Sequence, residues 1–227
     1  GNSLLSQAIN ALSAQGVVFV NSAGNNGNVL FHIEKPFTGD TLRSRIQFYS
    51  YTANPNMWGQ SISMWGQPGQ SFSAGFLITD NSNAVLAQSP WYQTATQQTY
   101  FDSLIVVGTD TVYYNLTADA AHSLNGRPHF RLRVKNRSAY IKVALQATAP
   151  SGTVHFWNVT ELTTDVGNWG QAFQAVAPGY TGGDAMYSIS EPAATESCLA
   201  VAAFNSEYAL SNGSVQGGAI ASFSSWG

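Results

Sequence analysis

The chain has 227 residues, of which 44% are hydrophobic and 9% are charged, and its formal net charge is −3. This length allows a sizeable core in one large or two modest domains. The small charged share is typical of a secreted, periplasmic or cell-envelope protein. There is no run of Lys or Arg, which excludes the basic patch of a nucleic-acid binder. No apolar run is long enough to span a bilayer, so no membrane span is predicted in this segment.

The first predicted element is a helix over residues 3–15. Asn2 or Ser3 can cap its start, and Gly16 is placed to end it. Because the chain starts at this helix, we expect it to be an internal piece of a longer protein. Apolar side chains recur at every fourth position and form one stripe along the helix, at Leu4, Ala8 and Leu12.

Two continuous apolar runs predict buried parallel strands. Residues 17–20 read Val-Val-Phe-Val, and 198–204 read Cys-Leu-Ala-Val-Ala-Ala-Phe. Runs of this kind favour parallel strands that are covered on both faces. The first strand leads into a turn, 21–27, in which Gly24 and Gly27 permit unusual backbone angles.

The cysteine and histidine content predicts neither a disulfide nor a metal site. Cys198 is the only cysteine, and its apolar surroundings favour a buried strand residue. No pair of histidines stands at the sequence spacing that zinc ligands usually show. We therefore predict no metal and no cofactor. The four histidines are His32, His122, His129 and His155.

The middle of the chain, residues 29–160, predicts an all-β sandwich. Short alternating segments recur there with turn signals between them, and no helical period is present. About eight strands at this spacing fit a jelly roll, although the sequence does not determine their order. The segments are Arg43–Tyr51, Ser61–Trp65, Phe72–Thr79, Leu104–Gly108, Val112–Thr117, His129–Val134, Tyr140–Thr148 and Val154–Val159.

Tryptophans in this middle region raise a second interpretation, because aromatic faces stack on sugars. Core packing is the usual role of strand tryptophans in a sandwich and is the favoured interpretation. The residues concerned are Trp58, Trp65, Trp91 and Trp157.

The remaining residues, 161–227, resume the character of the first segment. An irregular glycine-rich stretch over Asp165–Gly183 leads to Ser190-Glu191-Pro192-Ala193. The apolar strand at 198–204 follows, and Ala221–Gly227 reads as a short strand that runs into a turn.

Three motifs in this order resemble those of subtilisin-like serine proteases, the subtilases. The family's oxyanion loop, small residues followed by G-N-x-G, corresponds to residues 22–27. Its loop with Pro and the strand that follows correspond to 190–193 and 198–203, and its F-S-S-x-G motif corresponds to 223–227. The matches cover about 90 residues in two pieces. The long stretch between them is similar to the jelly roll carried inside the catalytic domain of clostridial Csp-type proteases.

The resemblance implies an α/β subtilase fragment, with a parallel sheet and a helix, that is interrupted by an all-β sandwich of the jelly-roll type. Residues 1–28 would form the first part of the subtilase core, 29–160 the inserted sandwich, and 161–227 the second part of the core. Both attachment points of the sandwich would lie at the substrate cleft, so we expect it to flank the substrate groove.

The resemblance also implies roles for single residues. Asn25 would donate a hydrogen bond to the oxyanion that forms during acyl transfer. Ser22, Ala23 and Gly24 would form one wall of the primary specificity pocket, and Ser190 would stand at its floor, where the family commonly has Gly.

The family's catalytic Asp and His motifs would precede residue 1, and its G-T-S nucleophile motif would follow Gly227. We therefore expect the fragment alone to be inactive, with a peptide or protein substrate and the remainder of the protease domain as partners. Two alternatives remain open: a non-catalytic β-sandwich module that binds glycans or proteins, and a pseudoprotease that has lost its triad.

Overall fold

The computed structural model describes residues 3–96, 98–163 and 166–227. In these residues there are one helix, α1 (Leu4–Ser13), and seventeen strands. The strands are β1 (Phe19–Ser22), β2 (His32–Phe37), β3 (Thr41–Ile46), β4 (Met57–Trp65), β5 (Ser73–Thr79), β6 (Val85–Gln88), β7 (Tyr92–Gln93), β8 (Gln98–Val107), β9 (Asp110–Asp119), β10 (His129–Asn136), β11 (Lys142–Thr148), β12 (Gly152–Leu162), β13 (Val166–Gly170), β14 (Phe173–Gln174), β15 (Cys198–Val201), β16 (Tyr208–Ala209) and β17 (Val215–Gln216).

The chain divides into two compact units. One unit contains Gly1–Val29 together with Ala185–Gly227, and the other contains Leu30–Asp184. The first boundary lies within two residues of the predicted end of the first segment. The second boundary was predicted between 160 and 161, whereas 161–184 belong to the same unit as the middle strands. The assignment of the flanking segments to a protease core stays a prediction.

The larger unit, Leu30–Asp184, consists of two antiparallel sheets. The seven-stranded sheet has the order β13-β12-β4-β10-β9-β8, and β2 also pairs with β12. The six-stranded sheet has the order β14-β3-β11-β5-β6, and β7 also pairs with β5. Each of the eight predicted segments overlaps one of these strands. The stretch predicted to be irregular contains β13 and β14, which complete one edge of each sheet; Asp165, the first residue of that prediction, lies outside the described residues.

One hydrophobic core joins the two sheets, because every second side chain of their strands points inward. In β10 the alternation is complete: Phe130, Leu132 and Val134 are buried, and the residues between them are half-buried. These three pack in one cluster with side chains of both sheets, among them Phe76 of β5 and Leu145 of β11. The larger unit is therefore a β-sandwich.

A buried polar pair lies between the strands of the seven-stranded sheet. Gln60 and Asn158 are fully buried, and the Gln60 side-chain amide donates to Asn158 Oδ1 at 2.8 Å. The Asn158 amide donates in turn to the carbonyl oxygens of Gln47, at 3.1 Å, and Ala172, at 3.3 Å. The backbone N–H of Tyr49 donates to Gln60 Oε1 at 3.1 Å. Every polar atom of Asn158 is thereby satisfied without water.

The smaller unit begins with α1, a helix that was predicted at this place in the chain. Its apolar stripe faces outward. Ser3 is the N-cap, and its hydroxyl oxygen accepts from the Ser6 N–H at 3.1 Å; the alternative cap, Asn2, lies outside the described residues. The chain turns at Gly16, which has φ +92°. The buried helix residues are Ser6 and Ile9. The predicted stripe is exposed along its length, at Leu4, Ala8 and Leu12.

The two apolar runs of this unit form a parallel pair, as predicted. Phe19 lies opposite Cys198, and Ser22 lies opposite Val201. This is a two-stranded sheet, and the only other strands of the unit among the described residues are the short antiparallel pair β16–β17. Residues 221–227, predicted to begin as a strand, form a turn.

The predicted fold class, an α/β subtilase fragment interrupted by a jelly-roll sandwich, is wrong for this chain. The structure is almost entirely β, with a single ten-residue helix and predominantly antiparallel sheets. The physical reason is the distribution of the strands. The parallel pairing inferred from the apolar runs is confined to β1 and β15. All the strands of the middle segment pair antiparallel, in two sheets of seven and six strands. None of the helices in the described part of the chain is long and apolar enough to cross a membrane.

Candidate functional site

The loop after β1 begins at the carboxyl end of the parallel pair. The backbone N–H of Ala23 donates to the Val201 carbonyl at 2.9 Å, which extends the pairing one step beyond the strands. Strands that run parallel end at the same edge of a sheet, and in open parallel sheets ligands bind beyond that edge. The loop 22–27 is therefore at the end of the pair where a ligand site is expected.

Three loops meet at Gly24. The Ser190 N–H donates to the Ala23 carbonyl at 3.4 Å, and the Ser225 N–H donates to the Gly24 carbonyl at 3.1 Å. Gly24 has φ +110°, and a Cβ at this position would lie 2.9 Å from Ser225 Oγ and 3.2 Å from Ser190 Oγ. Both the backbone angle and the close approach of two hydroxyl groups require glycine here. The loops 22–27, 190–195 and 223–227 thus come together around one glycine.

Gly27 joins the same loop to the 223–227 turn. Its N–H donates to the Phe223 carbonyl at 2.9 Å, and its own carbonyl accepts from Trp226 Nε1 at 2.9 Å. A Cβ on Gly27 would lie 1.8 Å from the Ser224 carbonyl oxygen, a distance that no side chain tolerates. Because the two backbones touch, the shape of 22–27 depends directly on the position of the 223–227 turn.

The start of α1 supports the loop that carries Ser190. Glu191 Oε1 accepts from Ser3 Oγ at 2.7 Å and from Ser6 Oγ at 3.1 Å. Ser6 Oγ also lies 3.0 Å from Thr195 Oγ1, and both residues are buried. A charge-assisted bond of this kind is stronger than a neutral one, so it holds the loop against the helix.

The structure brings together the predicted site residues Ala23, Gly24 and Ser190, with Asn25 next to them in the chain. Ala23 is buried, Gly24 is half-buried, and Ser22, Asn25 and Ser190 are exposed. The exposed Asn25 makes no side-chain hydrogen bond to any residue of the described part of the chain. The roles assigned to these residues stay predictions.

Apolar side chains of the parallel pair are exposed rather than covered. Val20 is 57% exposed, Leu199 is 59% exposed and Val201 is 50% exposed. Cys198, predicted to be buried, is half-exposed at the start of β15. Apolar runs such as these are typical of parallel strands that are covered on both faces, and burial was therefore predicted. In the described part of the chain that cover is incomplete, and so these positions differ from the prediction.

A second cluster of side chains, which no sequence motif predicted, lies in the sandwich. Asp119, His122 and His129 each offer a ligand atom within 4.8 Å of the others. Burial, together with the neighbouring charges of His122 and Arg131, lowers the pKa of His129 to about 4. His129 is therefore neutral at physiological pH. His122 and His129 are seven positions apart, which is not a familiar spacing of metal ligands. A sequence signal does exist, because the turn predicted between two alternating segments would bring the ends of both segments together.

The tryptophans do not occupy the core. Trp58, Trp65 and Trp157 are half-buried, and Trp91 is 41% exposed. The prediction that they pack in the core is wrong, because each lies on the outward side of its strand or in a loop. Trp169 is 49% exposed and stacks on Tyr49 with 6.1 Å between ring centroids.

Comparison with solved structures shows that the fold is similar to that of a protease. One matching structure is that of the Clostridium perfringens CspB protease, with a TM-score of 0.61 and 14% sequence identity. The match covers 99% of this chain and 41% of that protease, so the chain spans less than half of its length. The predicted similarity to a clostridial Csp-type protease holds at the level of the fold. No protein-family model matches the sequence, and no curated protein matches it either.

Proposed function

We propose that this chain is an internal part of a secreted subtilisin-like serine endopeptidase, and that it supplies one side of the substrate site. The observation that carries the proposal is the meeting of three loops at Gly24, beside the exposed Asn25. Each loop contains one of the three subtilase-like motifs, although 162 residues separate Gly27 from Ser190 in the sequence. The fold similarity to a protease supports the same conclusion. Secretion rests on the composition alone.

In this proposal Asn25 stabilises the transition state of acyl transfer. When a serine oxygen adds to the carbonyl carbon of the scissile peptide, the carbonyl oxygen becomes an oxyanion. A side-chain N–H₂ group that is already oriented lowers the energy of that oxyanion more than the energy of the substrate. Ser22, Ala23 and Gly24 would line the primary specificity pocket. Ser190 would narrow its floor with a hydroxymethyl group where glycine leaves space.

The test uses a longer polypeptide in which this segment is joined to the expected Asp, His and Ser motifs. Asn25→Ala should lower kcat by about 10²–10³, the cost of losing one oxyanion donor in subtilisin, and should change KM little. Asn28→Ala is the matched control, since Asn28 is an exposed asparagine of the same loop region and should leave both constants unchanged.

Two outcomes of that experiment would contradict the proposal. If Asn25→Ala and Asn28→Ala have equal effects, the oxyanion role of Asn25 is wrong. If the longer polypeptide neither turns over peptides nor reacts with a serine-directed reagent, the pseudoprotease alternative is correct instead. In either case we expect no peptide hydrolysis by the isolated 227-residue chain, because the proposal places the nucleophile and the base outside it.

We also propose that the exposed parallel pair is covered by the remainder of the same protease domain. A two-stranded sheet with apolar side chains on its surface is marginal in water. The chain spans 41% of the related protease, so the larger part of such a protein is available to provide further strands and helices.

Amide hydrogen exchange tests this cover. The amides of β1 and β15 should exchange at least about 100-fold more slowly in the longer polypeptide than in the isolated chain, because sheet cores open only with global unfolding. Leu199→Lys should abolish that gain, whereas Val215→Lys, on the equally exposed pair β16–β17, should not. Unchanged exchange of β1 and β15 in the longer polypeptide would show that the pair has no such cover.

One observation favours a second function, the binding of a glycan by the sandwich. Tyr49 and Trp169 form a stacked aromatic pair at the surface, with an angle of 16° between the rings. Glycan-array screening of the chain and of Trp169→Ala would test this function. Binding that is lost in the variant would support a binding module, and its absence in the unaltered chain would exclude one.

A further inference from the structure

The sandwich carries three potential metal ligands at one end of the β9–β10 hairpin. Asp119 and His129 lie directly opposite each other as the last residue of β9 and the first residue of β10, and His122 lies in the loop between them. One ligand atom from each residue lies within 4.8 Å of the other two. We propose that these three side chains bind one divalent transition-metal ion of the zinc type, with a remaining position open to water.

The donor set selects this class of ion. Two imidazole nitrogens and one carboxylate oxygen are ligands that Zn²⁺ uses in three-ligand sites, whereas Ca²⁺ and Mg²⁺ require mainly oxygen ligands. His129 Nδ1 and Asp119 Oδ2 are 3.9 Å apart. In a tetrahedral zinc site with bonds of about 2.0–2.1 Å, two ligand atoms are about 3.3 Å apart. Binding therefore requires side-chain rotations that shorten this separation by about 0.6 Å, and no separation among the three ligand atoms exceeds 4.8 Å.

The orientation of His129 is determined by neighbours on β4. The Trp65 ring stacks on the His129 ring with 3.9 Å between centroids, and His129 Nε2 lies 3.3 Å from Ser63 Oγ. Ser63 Oγ also accepts from Trp65 Nε1 at 3.0 Å. When Nε2 donates to Ser63, Nδ1 presents its lone pair toward Asp119. Outer partners of this kind orient the histidines of metal sites.

The loop holds His122 in place through its backbone. The His122 N–H donates to the Arg127 carbonyl at 2.8 Å, and the His122 carbonyl accepts from the Gly126 N–H at 2.8 Å and the Asn125 N–H at 3.1 Å. The backbone of the ligand is therefore already ordered, which lowers the entropy cost of binding. Coordination through Nδ1 of His122 would replace a long hydrogen bond, 3.4 Å, from the Leu124 N–H.

A second group of two histidines and one aspartate in the same unit provides a matched comparison. His32 Nδ1 lies 2.8 Å from Asp184 Oδ1, and His32 Nε2 lies 3.1 Å from His155 Nδ1. His32 uses a different ring nitrogen for each neighbour, so the three residues form a chain. In contrast, one ligand atom from each of Asp119, His122 and His129 lies within 4.8 Å of the other two, so all three can approach a single ion.

The experiment titrates Zn²⁺ into the untagged 227-residue chain by calorimetry and Co²⁺ by visible absorption. We expect a single saturable equivalent, with the d–d absorption of a four- or five-coordinate Co²⁺ ion. Loss of a residue that hydrogen-bonds to a metal ligand costs about 10–100-fold in affinity, so Ser63→Ala should weaken binding by about 10-fold. His122→Gln removes a ligand itself and should weaken binding by at least about 100-fold. His155→Gln should leave the affinity unchanged.

His122 lies in a loop, so its replacement is not expected to unfold the sandwich; circular dichroism checks this, and Asp119→Asn provides a second variant of unchanged shape. The absence of a saturable equivalent in the unaltered chain would overturn the proposal. So would binding that survives both His122→Gln and Asp119→Asn, or binding that is lost in His155→Gln, since each would place the ion elsewhere.

Discussion

Replacement of Asn158 by Ala should strongly destabilise the sandwich. Asn158 is fully buried, and its side chain makes three hydrogen bonds, one from Gln60 and two to backbone carbonyls. Each bond contributes about 1 kcal/mol net, and a buried group left without a partner costs about 1–3 kcal/mol. We therefore expect a loss of about 3–5 kcal/mol in the free energy of unfolding, a large part of the roughly 5–15 kcal/mol of a typical domain.

Urea unfolding followed by far-UV circular dichroism measures this loss. With a slope of about 1–3 kcal/mol per molar urea, the midpoint should fall by at least about 1 M. Asn158→Asp should be at least as harmful, because a carboxylate oxygen would replace the amide group that donates to the carbonyls of Gln47 and Ala172. The control is Asn81→Ala at an exposed turn, which should change stability by no more than about 0.5 kcal/mol.

A midpoint for Asn158→Ala equal to that of the Asn81→Ala control would refute the reasoning. It would mean that water replaces the amide, or that the buried network adds no net stability. A result in which Asn158→Asp is as stable as the unaltered chain would show that the two carbonyl oxygens do not depend on a donor at this position.

Two further predictions concern other parts of the molecule. Gly27→Ala should remove the protection of the 22–27 loop in hydrogen exchange, because its Cβ would lie 1.8 Å from the Ser224 carbonyl oxygen. Gly182→Ala is the control and should be tolerated, since the nearest contact of its Cβ would be at 3.6 Å. If both variants are tolerated equally, the predicted clash at Gly27 is wrong. Burial, together with the charge of His32, lowers the pKa of His155, so the folded state resists a proton that the unfolded chain accepts. The free energy of unfolding should therefore fall as the pH drops below about 6.5, the pKa of histidine in the unfolded chain. His155→Gln should reduce this dependence on pH in urea midpoints measured from pH 7 downward. An unchanged dependence would show that His155 does not contribute to it.

The sequence by itself was sufficient for the elements whose signal is local. Alternation between inward and outward side chains located the eight strand segments of the middle region, and the two continuous apolar runs identified the parallel pair β1–β15. The serine at position 3 and the glycine at position 16 marked the ends of the helix. Each of these signals is contained in a few neighbouring residues, and so it can be recognised without knowledge of the fold.

The tertiary structure decided which distant residues meet. Ser190 lies beside Gly24 because β15 pairs with β1, and His122 meets His129 because the register of β9 and β10 places Asp119 opposite His129. Strand pairing over long separations depends on the whole sheet, and no local pattern encodes it. Exposure depends on what covers each face, so the apolar side chains of β15 were predicted to be buried but are exposed. The fold class was wrong for the same reason: the balance between one short parallel pair and two antiparallel sheets is set by how all strands pair together.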